Sequence, residues 1–311
     1  MTAARAAGGP VGARPVMLAV GGDSGSGKTT LARGLAEAIG PRRCTSICVD
    51  DYHRYDRAQR SALRLTALSP QANHLDIMEQ HLQLLAIGQP ILKPVYDHRR
   101  GTFARPEYLR PRPFVIVEGL FPLFSKLSRA CFDVTVFVDP PEELRHRWKI
   151  RRDTTGRGYT EAEVRRELAR REPDSAAYIR PQRRFADIVV RFAPAQDGSD
   201  PPGAPSTAEL LLRPTVQHPP LASLLADGAG AAMDLGVVRD DDGNAVDRLR
   251  VHGRAAPEDA RLLARALWEV VGRGREIPRG LGQLADGAHS EPLAITQEML
   301  LFHLMQEVYQ R

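Results

Sequence analysis

Cysteine is scarce in this chain. Cys44, Cys48 and Cys131 are the only three in 311 residues. They cannot build a disulfide framework, and reduced thiols in a cytoplasmic protein are the simpler reading. Long apolar runs are missing too: none approaches the ~20 residues needed to span a bilayer, which argues against a membrane partner. The first fifteen residues are mostly Ala, Gly and Pro with two Arg. They lack the apolar centre of a secretory signal and read as a disordered leader. The nine histidines show no metal-ligand spacing, and there is no internal repeat.

What is present is ordinary in bulk and uneven in detail. Hydrophobic residues make up 42% and charged residues 26%, which suits a soluble globular protein of one large or two modest domains. The net charge is +5. Between Arg145 and Arg184 there are twelve Arg and one Lys against six acids. This stretch therefore carries an excess of seven positive charges, and the rest of the chain sums to −2. So local an excess suits a phosphate-binding lid better than a nucleic-acid coat.

Short apolar runs at Val16–Val20, Ser46–Val49, Phe114–Val117, Val134–Val138 and Ala186–Phe192 read as strands. Four of the five are apolar on both faces, as in a parallel sheet covered by helices. Between them, Leu31–Ile39, Leu75–Ile87, Glu142–Arg152 and Glu161–Arg171 read as helices. The alternation predicts an α/β doubly wound, mostly parallel sheet over residues 16–193. Residues 194–206, rich in Pro, Gly and Asp, read as a linker. Residues 207–311 then form a small α+β extension, with strands near Leu210–Val216 and Leu249–Val251 and helices near Pro257–Val271 and Ile295–Tyr309.

Chemistry gathers at the ends of the predicted strands. Gly22-Asp23-Ser24-Gly25-Ser26-Gly27-Lys28-Thr29-Thr30 fits the phosphate-loop pattern and lies between a strand and a helix, as that motif requires. Its backbone N–H groups and the helix dipole attract anions. Lys28 is expected at the β- and γ-phosphates of ATP and the Thr29 hydroxyl on Mg²⁺. Asp50 and Asp51 close the second strand, where a carboxylate can take a proton from an attacking hydroxyl. Glu118 ends a central strand and is a second candidate for Mg²⁺. In the basic stretch, Arg151, Arg152, Asp153 and Arg157 flank a Gly-containing turn and suit a mobile lid. Arg165, Arg166, Arg170 and Arg171 interleave with Glu161, Glu163 and Glu167 and read instead as solvated ion pairs. Tyr96-Asp97-His98-Arg99-Arg100 reads equally well as a sugar-phosphate contact or as a polar loop.

Seven blocks in order carry a resemblance: GGDSGSGKTT, VDDYHRYDR, TALSPQANHLDIMEQ, KPVYDHRRG, VIVEGLFPLF, WKIRRDTTGRGYT and REPDSAAYIRPQRRFADIVV. From Val16 to Phe192 the chain resembles the phosphoribulokinase and uridine kinase family, and within it the plant and cyanobacterial phosphoribulokinases. That resemblance implies a P-loop kinase fold, ATP and Mg²⁺ as cofactors, and D-ribulose 5-phosphate as acceptor, with a nucleoside as the alternative. It implies a homodimer. It assigns Asp50 as general base, His53 and Arg57 to the sugar phosphate, and Glu118 to the metal. Arg152, Asp153 and Arg157 match lid residues, with Asp153 a candidate for the metal or the base. Beside it, Lys28 of the phosphate loop is taken as catalytic, and Tyr96, His98 and Arg157 as candidate substrate contacts. Two departures stand out. Ser26 occupies a loop position held by cysteine in the plant relatives, so the pair implied with Cys48 is incomplete. Phe121 replaces a usual histidine.

Overall fold

The computed structural model describes residues 14–194, 207–220, 232–253, 255–272, 276–284 and 287–309. The expected leader falls almost entirely outside these residues, and the linker is outside them from residue 195 onward.

Ten strands are present among the described residues: β1 (Val16–Gly22), β2 (Cys44–Cys48), β3 (Ile91–Asp97), β4 (Thr102–Leu109), β5 (Phe114–Gly119), β6 (Val134–Val138), β7 (Ile188–Ala193), β8 (Thr207–Leu212), β9 (Met233–Arg239) and β10 (Ala245–Val251). Eight form one sheet in the order β2-β5-β1-β6-β7-β8-β10-β9. The first five pair in parallel. The last three continue the sheet antiparallel. The region expected as a small extension thus lengthens the same sheet by direct strand pairing onto β7.

Eight helices are described: α1 (Lys28–Ile39), α2 (Arg57–Ala62), α3 (Leu75–Ala86), α4 (Lys126–Ala130), α5 (Glu142–Gly156), α6 (Glu161–Asp174), α7 (Pro257–Gly272) and α8 (Glu291–Tyr309). None is long and apolar enough to cross a membrane. The sheet is covered on both faces, as its apolar strands require. Along β1 the period of two sends Val16, Leu18 and Val20 into one core, with α1, α7 and α8. Met17 and Ala19 point into the other, with α3.

The remaining strands, β3 and β4, form a separate antiparallel hairpin. Little in the residue pattern foretells it. In β4 every residue but Leu109 is exposed, so no apolar alternation marks the strand. This hairpin brings Lys93, Tyr96 and His98 to the end of β2. A second contact crosses a long stretch of chain. Gln297 of α8, fully buried, donates to the Leu31 carbonyl of α1 at 3.2 Å and accepts from the Gly282 N–H at 2.8 Å.

Candidate active site

The loop from Gly22 to Lys28 turns at the carboxyl end of β1, where the strand order reverses and ligands bind in open α/β sheets. Gly25 and Gly27 have φ of +85° and +96°, a region that L side chains rarely adopt. A Cβ on Gly25 would also collide with Lys149 of α5. Lys28 folds back over the loop, its Nζ 3.2 Å from the Asp23 carbonyl. Ser26 is fully buried and its Oγ has no hydrogen-bond partner. The Asp23 carboxylate accepts from the Ser24 N–H of the loop at 2.5 Å and from Ser175, and pairs with Arg145 of α5 at 3.3 Å. This clasp carries no sequence signature, because Asp23 lies more than 100 residues from both of its partners.

The Thr29 hydroxyl, in the first turn of α1, donates to Glu118 Oε1 at 3.1 Å across the end of β5. Burial raises the pKa of Glu118, Lys28 opposing and Asp50 adding to the rise. A hydroxyl and a carboxylate side by side are hard oxygen donors, the set that suits Mg²⁺.

Asp50 and Asp51 part company at the end of β2. Asp51 accepts from Lys93 and from the Tyr96 N–H at 2.9 Å, both on β3. Both its oxygens are engaged in holding the hairpin. Asp50 stays partly exposed, with His98 Nε2 3.9 Å from its Oδ2. Burial works to raise its pKa, but the charges of His53, Lys28, His98 and Arg171 outweigh this and hold it low. His53 is itself driven down to about 4 by burial, against the pull of Asp50. It is therefore neutral at pH 7, and the standing positive charge near Asp50 comes from Lys28 and Arg171. Asp50 is an ionised carboxylate over the working range.

The rest of the acceptor side is a polar and aromatic cluster. His53 Nδ1 meets Asn73 Oδ1 at 2.7 Å. The buried Tyr96 ring lies edge-on to His53, His98 and Phe103, and its hydroxyl accepts from Arg60 at 2.8 Å. Tyr96 therefore stands behind the two histidines, as their support. Arg57 lies in the first turn of α2, and its guanidinium donates to the His98 carbonyl at 2.6 Å, which ties α2 to the hairpin turn.

Near the end of α5, Asp153 gathers three cations: Lys149 at 2.8 Å, Arg152 at 2.8 Å and Arg157 at 3.4 Å. Burial pushes against this carboxylate, but Arg152 and Lys149 prevail and bring it to about 2. It organises the cations and is poorly placed to accept a proton. Lys149, missed in the sequence because it sits mid-helix, is buried. Desolvation, with repulsion from Arg171, lowers it to about 8. The ion-pair reading holds for Arg165 with Glu161 and for Arg170 with Glu167. Arg171 departs from it. It pairs with Glu167, yet it is largely buried and its charge reaches both Asp50 and Lys149.

The description "Phosphoribulokinase / Uridine kinase family" matches residues 17–199. The chain belongs to this family. A phosphoribulokinase from Synechocystis sp. is 42% identical over 183 residues, covering 59% of this chain and 55% of that protein. A uridine kinase from Alkaliphilus metalliredigens is 32% identical over 181 residues, covering 57% of this chain and 87% of that protein. The chain thus spans about half the length of the cyanobacterial and plant phosphoribulokinases that it matches in sequence. Among solved structures, phosphoribulokinase from Rhodobacter spheroides superposes with a TM-score of 0.58 at 21% identity, covering 84% of this chain and 98% of that one. The family's fold therefore extends beyond the matched sequence into the antiparallel half of the sheet.

Proposed function

We propose that this protein transfers the γ-phosphoryl group of ATP to a hydroxyl of D-ribulose 5-phosphate, giving ribulose 1,5-bisphosphate. The observation that carries the reading is Asp50, an ionised carboxylate that accepts no hydrogen bond among the described residues. It sits at the end of β2 within the field of Lys28, Arg171 and Arg157. Cations around the base favour an acceptor that is itself an anion. The 42% identity to a phosphoribulokinase supports the same acceptor.

In this reading the loop amides and Lys28 hold the β- and γ-phosphates. Thr29 and Glu118 hold Mg²⁺, which would neutralise charge on the phosphoryl oxygens when bound. Asp50 takes the proton of the attacking hydroxyl, and His53, His98 and Arg57 set the sugar phosphate in line. Arg152 and Arg157, held by Asp153, close over the transferring group and exclude water. Little bond chemistry is asked of the protein; positioning and electrostatics supply the rate. A homodimer, checked by sedimentation, belongs to the same reading.

A nucleoside acceptor is the second reading. It is favoured by one observation, the coverage of 87% of a uridine kinase. The test is ATP consumption against ribulose 5-phosphate, ribose 5-phosphate and uridine. Turnover with ribulose 5-phosphate is expected to exceed the others at least tenfold. Turnover with uridine and none with ribulose 5-phosphate overturns the proposal.

A further inference from the structure

Cys48 is the last residue of β2, two positions before Asp50. Its sulfur, an Asp50 oxygen and a His98 ring nitrogen all lie within 4.8 Å of one another. They come from two elements, the end of β2 and the turn between β3 and β4. A thiol, a carboxylate and an imidazole form a ligand set unlike the hard-oxygen pair of Thr29 and Glu118. It matches borderline-soft dications such as Zn²⁺ and Co²⁺.

We propose that Cys48, Asp50 and His98 form a second, thiophilic metal site, in which a Zn²⁺-class ion binds through three protein ligands and leaves a fourth position to solvent. The dimensions allow it. With bond lengths of 2.0–2.3 Å, neighbouring donors in a tetrahedral shell sit about 3.5 Å apart. The His98–Asp50 separation is 3.9 Å and no pair exceeds 4.8 Å, so closure asks for shifts of about 1.3 Å or less. His98 is exposed and lies in a turn, where such a shift is cheap. On binding, the sulfur–metal bond forms and the thiol proton leaves to solvent. Cys44 and Cys131 are buried, and among the described residues neither belongs to such a ligand set.

Occupation removes Asp50 as a base and closes the sugar side of the site, so the ion acts as an inhibitor. Only this consequence rests on the proposed function; the binding itself does not. The test is a Co²⁺ titration of the reduced full-length chain with Mg²⁺ in excess. One equivalent is expected to produce a thiolate-to-cobalt charge-transfer absorption in the near ultraviolet. Zn²⁺ should displace it, and Cys48→Ser should lose it. His98→Gln should weaken Co²⁺ binding at least tenfold while leaving the fold and Cys48 in place. A wild-type protein with no such band overturns the proposal, as does a Cys48→Ser or Cys48→Ala protein that keeps it. Binding unchanged in His98→Gln overturns it too. If the band forms as expected but ribulose 5-phosphate is not a substrate, the metal site stands and the functional reading falls.

Discussion

Asp51 spends both carboxylate oxygens on Lys93 and the Tyr96 amide, which leaves its neighbour Asp50 as the carboxylate facing the phosphate loop. Substituting the two should give opposite kinds of damage. Asp50→Asn should lower kcat by between about 10²- and 10⁴-fold, the range for loss of a general base, and leave nucleotide binding intact by calorimetry. Asp51→Asn should act on stability and on hairpin placement. The pH profile follows from the same groups. A base acts when deprotonated, and Asp50 is held below the ordinary carboxylate value. No acid limb from this group should therefore appear in kcat/KM between pH 6 and 8. Lys149, at about 8, loses its charge on the alkaline side and with it the ion pair to Asp153. An alkaline limb near pH 8 is expected, and Lys149→Arg should move it upward.

Helix α8 is buried on nearly every side, and its polar residues set the terms of its packing. Glu298 is 1% exposed, and one of its oxygens has no hydrogen-bond partner. Burial, helped by Glu291, raises it to about 9 from 4.5. The folded state thus keeps a proton that the unfolded chain releases above pH 4.5. Stability is full below that value and falls as pH rises toward 9. At pH 7 the loss is about 3 kcal/mol. Glu298→Gln should recover much of it and flatten the decline between pH 5 and 9 in denaturant titrations. The joint between α8 and α1 is equally specific. A Cβ at Gly34 would collide with the buried Gln297 amide. Gly34→Ala should cost about 1–3 kcal/mol by displacing that amide from its partners. In a Gln297→Ala background the penalty should shrink, which a double-mutant cycle would measure.

At the scale of the whole molecule, the parallel half was readable because its signals are local. Val134–Val138 is apolar on both faces, and GxxxxGK[ST] needs only its flanking strand and helix. Asp50, Glu118 and Thr29 were legible for the same reason, being ends of elements. The β3–β4 hairpin was hidden by its exposure, and β9 by its polar and glycine content. The Asp23–Arg145–Ser175 clasp and the reach of Arg171 toward Asp50 depend on tertiary placement, which no window of sequence contains. Since β8 pairs directly with β7, the two halves should melt together. One calorimetric transition is expected, and two well-separated ones would show that the antiparallel half is an independent unit.

The bond from Gln297 to the Leu31 carbonyl joins residues separated by 266 positions. At roughly 5–20 residues per second of synthesis, the nucleotide-loop helix waits on the order of 10 s to a minute on the ribosome for its partner to be made. Through that interval the apolar side of α1 that faces α8 has no native cover. The protein should therefore be a chaperone client during translation, with the phosphate-loop helix uncovered until α8 has docked.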